Sequence, residues 1–271
     1  MATDNMGLLI DLDGTVYHGN RMIPFADQWI ASLKEDGIPF LFVTNNSSRT
    51  PEAVAAHLRS MGIDAASDDV YTAAQAAAQY ITEQKLGRRV FCIGESGLQQ
   101  ALQEAGLSLA EPGSEEPVDA VVQGIDRDFT YAKLSQAVKS ILDGARSVQT
   151  NPDLLLPSDT GLIPGAGTIG AAIQAGSRTA PIVIGKPSPI IMGYALQRLG
   201  CAREQAVVIG DNLFTDIGAG IAAGCRTVLV LTGVTTQDNM EEQIRLAGHR
   251  PDAVCRDLQE LQGYIRSQIR L

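Results

Sequence analysis

Short apolar runs alternate with longer amphipathic stretches along most of this chain. Short runs rich in Val, Ile and Leu predict buried strands, whereas apolar residues that recur every three or four positions predict helices. Regular alternation of the two predicts an α/β fold, because parallel strands need a crossover between them and a helix usually supplies it. We therefore expect a doubly wound, mostly parallel sheet with helices on both faces.

These patterns place the elements as follows. The predicted strands are residues 8–11, 39–44, 89–93, 120–123, 147–150, 182–184, 206–209 and 227–231. The predicted helices are residues 24–36, 51–61, 73–85, 97–105, 131–143, 168–175, 189–199, 215–223, 237–247 and 257–269.

The formal net charge is −10, from 31 acidic and 21 basic residues. Such a surface repels nucleic acid and anionic membranes, so neither is expected as a partner. It also repels phosphate compounds. A phosphate site on this chain would need a locally positive environment, built from a metal, a lysine or helix N-termini.

No apolar run is long enough to span a bilayer, and the N-terminal residues lack the basic and apolar regions of a signal peptide. These features predict a cytoplasmic protein. The cysteines show neither CxxC nor zinc-site spacing and are expected to be reduced, mostly buried thiols. They are Cys92, Cys201, Cys225 and Cys255.

The first chemical motif, Asp-Leu-Asp-Gly-Thr at residues 11–15, directly follows an apolar strand. Asp11 and Asp13 are two residues apart, so their carboxylates point to the same side of an extended backbone. Crowding two like charges is costly unless a cation lies between them or a proton is shared. The alternative is an Asp-Gly hairpin turn, for which Gly14 is equally suited.

The second motif follows the next strand, where Thr44, Asn45 and Asn46 offer a hydroxyl and two amides that can bind phosphate oxygens. A helix opens at Pro51, so the same segment could instead be a helix-capping loop. For Ser48 and Thr50 the capping interpretation is preferred.

Two further motifs follow later strands. Lys186 is held between a glycine and a proline and can neutralise a phosphoryl oxygen, although a surface lysine is the alternative. Asp211 and Asp216 provide hard oxygen ligands of the kind that magnesium prefers. Asp216 also suits the first turn of a helix, where an acid complements the helix dipole, and the two roles are compatible.

Residues 78–180 have predicted strands and helices of their own but lack these motifs. A chain of 271 residues is long enough for two hydrophobic cores. We therefore predict a core domain formed by residues 1–77 and 181–271, with residues 78–180 inserted as a second α/β domain.

Together and in this order, the four motifs resemble those of the haloacid dehalogenase-like (HAD) superfamily of phosphohydrolases. The resemblance extends over nearly the whole chain and implies a Rossmann-like core. The long insertion, with the segments 150–153 and 185–189, resembles the NagD and p-nitrophenylphosphatase branch, in which a large α/β cap lies at this point.

The resemblance implies a magnesium-dependent phosphatase for a small phosphate monoester. Asp11 would be the nucleophile that becomes phosphorylated, and Asp13 the general acid and base. Mg²⁺ would be held by Asp11, the backbone carbonyl of Asp13 and Asp211, with Asp216 supporting these ligands. The residues expected to bind substrate are Thr44, Asn45, Asn46, Lys186 and Asn212.

Other functions stay open at this point. A phosphotransferase or mutase would use the same residues, and a non-catalytic sensor of phosphate ligands would not need the nucleophile. A halide-releasing dehalogenase has no use for Asp13 together with Asp211 and a metal. The branch also suggests a homodimer, but the sequence does not specify the physiological substrate.

Two segments of the insertion lie outside the four motifs. Residues 165–170 match GxGxxG, but without a preceding strand or a following acid they predict a tight loop that leads into a helix. Residues 151–167 are rich in turn formers, and we hypothesise that they close over the site and select the leaving group. The alternative is that residues 154–156 are cap core and that Asn151 and Asp153 cap a turn.

Overall fold

The computed structural model describes residues 6–158 and 161–269. The strands are β1 Gly7–Ile10, β2 Tyr17–His18, β3 Arg21–Met22, β4 Phe40–Thr44, β5 Val70–Thr72, β6 Arg89–Ile93, β7 Ser108–Leu109, β8 Ala120–Gln123, β9 Arg146–Gln149, β10 Leu155–Ser158, β11 Gly161–Pro164, β12 Ile182–Val183, β13 Ala206–Gly210, β14 Arg226–Val230 and β15 Ala253–Cys255.

The helices are α1 Ala26–Glu35, α2 Pro51–Ser60, α3 Ala73–Glu83, α4 Ser96–Glu104, α5 Tyr131–Leu142, α6 Ala166–Ser177, α7 Pro189–Leu199, α8 Gly218–Ala223, α9 Met240–Ala247 and α10 Leu258–Ile269. Short 3₁₀ turns lie at Ser67–Asp69 and Arg203–Gln205, and a π-helical turn, Leu213–Ile217, directly precedes α8.

The residues group into two units. The first contains Met1–Thr44, Glu52–Tyr71 and Lys186–Leu271, and the second contains Asn45–Pro51 and Thr72–Gly185. The division predicted from the sequence, with an inserted domain at residues 78–180, stays a prediction.

The first unit is built on a six-stranded sheet in the order β15-β14-β13-β1-β4-β5. β1 lies in the middle and pairs in parallel with β4 on one side and β13 on the other. β1 and β13 are buried along their whole length, which explains their unbroken apolar sequences. The chain first adds strands to one side of β1 and later to the other, so the sheet is doubly wound and the predicted α/β class is confirmed.

The second unit has a five-stranded sheet in the order β12-β9-β8-β6-β7, whose neighbouring strands are all parallel. Its strand order reverses between β6 and β8. A separate antiparallel hairpin of β10 and β11 lies within residues 151–167, which the sequence suggested would be a loop. No helix among the described residues is long and apolar enough to cross a membrane.

Candidate active site

Asp11 and Asp211 follow β1 and β13, which are neighbouring strands on either side of the point where the strand order reverses. Ligands of doubly wound sheets bind in the crevice outside the strand ends at such a point. Oxygen atoms of the Asp11, Asp211 and Asp216 carboxylates lie within 4.8 Å of one another. Residues that are 200 positions apart in the sequence are thus brought together by strand pairing alone.

Lys186 lies among these carboxylates, and its side chain is buried. Its Nζ donates hydrogen bonds to Asp11 Oδ1, to Asp216 Oδ1 at 2.6 Å and to the backbone oxygen of Val43 at 3.1 Å. Burial alone would lower the pKa of Lys186, but the Asp11 and Asp216 carboxylates outweigh it, so the pKa is raised. The lysine therefore remains a fixed positive charge beside Asp11.

The negative charge of the clustered carboxylates exceeds the positive charge of Lys186. Burial, and then repulsion by Asp216, raises the pKa of Asp11 well above its usual range, although Lys186 opposes this. The same two causes raise the pKa of Asp211 to about 7. Three carboxylates and one lysine, within the part of the chain that the structure describes, leave an anionic cluster of hard oxygen donors. Such a cluster fits a divalent cation such as Mg²⁺.

The π-helical turn Leu213–Ile217 positions Asp216. The side chain of Asn212 caps this turn by accepting hydrogen bonds from Phe214 N and Thr215 N at 2.9 and 3.4 Å. Asp216 Oδ2 in turn accepts from Asn212 N at 3.1 Å, while Oδ1 accepts from Lys186. Asp216 thus links Lys186 to the chain segment that follows Asp211, whereas the predicted contact of Asn212 with substrate stays a prediction.

Asp211 is held by a loop that sequence reasoning missed. Val234 N donates to Asp211 Oδ2 at 2.5 Å, and Thr15 Oγ1 lies 3.5 Å from Oδ1. A Cβ at Gly233 would lie 2.0 Å from Oδ2, and one at Gly14, where φ is +91°, would lie 2.4 Å from it. Both glycines are therefore required for close approach to this carboxylate. The signal was a glycine shortly after the predicted strand 227–231.

The remaining predicted residues lie in different settings. Asp13 is exposed, two residues after Asp11, and Thr44 is buried at the end of β4, the other neighbour of β1. Asn45 belongs to the second unit, where its Nδ2 donates to Asp153 Oδ2 at 3.1 Å. Asn46 Oδ1 accepts from the backbone N–H groups of Ser48 and Arg49 at 2.9 and 3.1 Å, which closes a turn before α2, and its contact with substrate stays a prediction.

The GxGxxG segment was predicted as a tight loop that leads into a helix, but only Gly165 precedes α6, and the segment does follow a strand, β11. That strand belongs to an antiparallel hairpin rather than to the parallel sheet. The glycines instead allow close packing. Added Cβ atoms at Gly165 and Gly167 would lie 2.2 and 2.1 Å from the backbone oxygens of Asp153 and Pro152.

Comparison with known proteins agrees with this geometry. The haloacid dehalogenase-like hydrolase family matches residues 8–108, and a related HAD-hydrolase-like family matches residues 183–261. The chain is 43% identical over 248 residues to the 5′-nucleotidase YutF of Bacillus subtilis, covering 92% of this chain and 95% of that protein. It is 45% identical over 235 residues to an acid sugar phosphatase of Staphylococcus aureus, covering 87% and 90%.

Among solved structures, a p-nitrophenyl phosphatase from Archaeoglobus fulgidus superposes with a TM-score of 0.90 at 36% identity, covering 96% of this chain and 99% of that one. The chain belongs to the haloacid dehalogenase-like hydrolase family. Within that family it is a phosphatase, a hydrolase of phosphoric monoesters. The resemblance inferred from the four motifs is thereby confirmed.

Proposed function

We propose that this phosphatase hydrolyses a small phosphate ester through a phosphorylated Asp11, with Mg²⁺ as cofactor and Asp13 as general acid and base. The observation that carries the proposal is the cluster of Asp11, Asp211 and Asp216 around Lys186 at the reversal of the strand order. A site that only binds a ligand needs no nucleophile, whereas here the Asp11 carboxylate is held against a buried lysine, in a position to act as one.

The donor set fits Mg²⁺, since all candidate ligands are oxygens and the carboxylates outnumber the lysine. Asp11, the backbone carbonyl of Asp13 and Asp211 would hold the ion, while Asp216 is engaged by Lys186 and Asn212 and supports them. When bound, the ion would supply positive charge that neutralises phosphoryl oxygens.

In the first step, a carboxylate oxygen of Asp11 attacks phosphorus and the bond from phosphorus to the leaving oxygen breaks. Asp13 gives its proton to that oxygen. In the second step, Asp13 takes a proton from a water molecule whose oxygen attacks phosphorus. The bond from phosphorus to the Asp11 oxygen breaks, which releases inorganic phosphate and restores the carboxylate. Covalent catalysis thus divides one difficult displacement into two easier ones.

The chain's own groups do the positioning. Lys186 would neutralise a phosphoryl oxygen, and the Thr44 hydroxyl with the backbone N–H groups after Asp11 and Thr44 would hold the others. The exposure of Asp13 suits a group that must exchange protons with the leaving group and with water.

Nucleoside monophosphates and sugar phosphates are the substrates we propose to test first, because relatives are named for them. The cytoplasmic location and the homodimer stay predictions.

The test is turnover of p-nitrophenyl phosphate, a nucleoside monophosphate and a sugar phosphate with Mg²⁺, followed by acid quenching and peptide mapping. We expect release of inorganic phosphate and a phosphoryl group on the peptide that contains Asp11. An added alcohol distinguishes the alternatives, because a phosphotransferase would phosphorylate it in preference to water. Binding without turnover would instead identify a sensor, and phosphorylation at another residue would overturn the assignment of Asp11.

A further inference from the structure

The second unit has its own reversal of strand order, between β6 and β8, and there the crevice is filled by the chain itself. Segment Asn45–Pro51 occupies it. Gly97, in the first turn of α4, the helix that follows β6, donates its N–H to Ser48 O at 3.1 Å, and a Cβ there would lie 2.6 Å from the backbone of Arg49. Gly124, directly after β8, could not carry a Cβ without approaching Ser47 Oγ to 2.5 Å. The position where such sheets bind ligands thus holds a peptide segment.

The end of β9 binds the same segment through side chains. Thr150 Oγ1 donates to Ser47 Oγ at 3.2 Å, and Asn151 Nδ2 donates to the backbone oxygen of Asn45 at 2.8 Å. Thr150 is fully buried and Asn151 is only 6% exposed, so water cannot readily replace these contacts. Asp153 adds a third contact through Asn45 Nδ2 at 3.1 Å.

We call Thr150, Asn151 and Asp153 the β9 anchor, and one of them, Thr150, also contacts the residue that precedes Lys186. Gly185 N donates to Thr150 O at 2.8 Å, and a Cβ at Gly185 would lie 2.5 Å from Asn45 Oδ1. Asn45 directly follows Thr44, and Gly185 directly precedes Lys186. The anchor therefore fixes the residues adjoining two groups of the proposed phosphate site.

We propose that Thr150 and Asn151 are positioning residues for phosphoryl transfer, which they serve by holding segment Asn45–Pro51 in one conformation. Asn45 is joined to Thr44 by a planar peptide bond, so fixing the Asn45 backbone limits the orientations that are open to Thr44. The Thr44 hydroxyl is one of the groups that would hold a phosphoryl oxygen. Neither anchor side chain needs to touch the substrate for its loss to reduce turnover.

This proposal rests on the proposed function and differs from the hypothesis that Asn151 selects the leaving group. Misplacing a phosphate-binding group such as the Thr44 hydroxyl harms every phosphate ester alike, because the phosphoryl group is common to all of them. A residue that contacts the leaving group instead changes the relative kcat/KM of two esters. The ratio between esters therefore separates positioning from selection.

The experiment compares wild type with Asn151→Asp, Thr150→Val and Thr150→Ser. Asn151→Asp removes the donor to Asn45 O, and Thr150→Val removes the hydroxyl while keeping the side-chain shape. We expect kcat/KM to fall about 10- to 100-fold in both, as small misplacements in active sites do. It should fall equally for p-nitrophenyl phosphate and a sugar phosphate, with weaker inhibition by inorganic phosphate. Thr150→Ser should retain most of the activity because it keeps the hydroxyl.

Gln136→Glu is the matched control, since it also exchanges an amide for a carboxylate in the second unit and loses a donor to Glu111 O. It should leave kcat/KM unchanged. Far-ultraviolet circular dichroism and thermal unfolding verify that each variant is folded. If Asn151→Asp does not fold, the comparison of Thr150→Val with Thr150→Ser tests the proposal. Equal losses in Thr150→Val and Thr150→Ser, unimpaired turnover in Asn151→Asp, or a changed ratio between esters would each overturn the proposal. An inactive wild type would indicate failure of the proposed function instead.

Discussion

The two units carry the same kind of sheet, but the charges at their strand ends differ. Beyond β6 and β8 of the second unit two acids have basic partners, since Arg127 pairs with Glu95 at 2.7 Å and Lys133 with Asp126 at 2.7 Å. At the reversal point of the first unit three acids cluster, and Lys186 pairs with two of them, Asp11 and Asp216. Paired charges stabilise a loop, whereas an excess of buried carboxylates is costly and favours a cation. The excess charge, rather than the fold, marks the reactive site.

Replacing one acid from each unit would test this difference most strongly. Asp11→Asn should reduce turnover of p-nitrophenyl phosphate to less than about a hundredth of wild type, because an amide cannot attack phosphorus. Its thermal stability should not fall, since the change removes repulsion from a crowded cluster. Asp126→Asn should do the opposite. The substitution breaks the partly buried ion pair between Lys133 and Asp126, which costs about 1–3 kcal/mol of unfolding free energy. Turnover per folded molecule should stay the same.

Steady-state kinetics and chemical denaturation of both variants give the two quantities. Loss of activity in Asp126→Asn without loss of stability would remove the distinction between the two strand-end sites.

Metal removal is the next largest effect. Chelation by EDTA should abolish turnover, and added Mg²⁺ should restore it. Asp211→Ala should raise the Mg²⁺ concentration needed for half-maximal activity by at least about tenfold, in line with the loss of a ligand or its support. Ca²⁺ should inhibit because its coordination is looser and longer. Full turnover in metal-free buffer would contradict this prediction, and a titration of activity against Mg²⁺ provides the measurement.

The acid cluster also predicts how the stability of the metal-free protein depends on pH. Burial and Asp216 raise the pKa of Asp211 from 3.8 to about 7, so between these values the folded protein binds more protons than the unfolded chain. This contribution to stability is complete below the lower value and is lost as pH rises through the upper one. We expect Mg²⁺ to raise the melting temperature more at about pH 8 than at about pH 5.5, since the ion replaces the lost proton.

Differential scanning calorimetry with and without Mg²⁺ measures this effect. Asp211→Asn is the control, because it has no proton to lose at this position. An equal Mg²⁺ effect at both pH values in the wild type would show that Asp211 does not titrate in this range.

The smallest effect is expected in the hairpin of β10 and β11. Leu154 and Leu162 are 59% and 70% exposed, so the alternative that this segment is merely core does not apply to these side chains. Replacing either by Ser should change the free energy of unfolding by less than about 0.5 kcal/mol. If the hairpin selects the leaving group, the ratio of kcat/KM for p-nitrophenyl phosphate to that for a sugar phosphate should change a few-fold. An unchanged ratio in both variants would exclude that role.

The parts of the fold that the sequence predicted are those with strong local patterns. The strand ending at Ile10 was recognisable because all its residues are apolar and buried, and Asp11 was conspicuous directly after it. Strands of two or three residues, such as β2, β7 and β15, are too short to show any periodicity. The helix expected at residues 215–223 begins earlier, in a π-helical turn that no simple repeat predicts.

In the candidate site too, the sequence predicted some residues and not others. Residues placed directly after strands were found because the strand ends fix where they lie. The hydrogen bond of Asn45 could not be predicted from the sequence, because an amide that binds phosphate and an amide that donates to Asp153 look the same there. Its partners lie more than 100 residues away, and only the folded second unit brings them together.

The wide turn between Asn212 and α8 makes the length of this segment important. A π-helical turn contains more backbone per turn than an α-helix, so deleting a single residue from Leu213–Ile217 could restore an ordinary helix and even improve its local hydrogen bonding. Each residue of an α-helix advances the side chains by about 100°. Deleting residue 213, 214 or 215 would therefore rotate Asp216, together with Gly220, which packs against Val208, relative to Asn212. Substitutions in this turn should therefore be tolerated more readily than any change in its residue count.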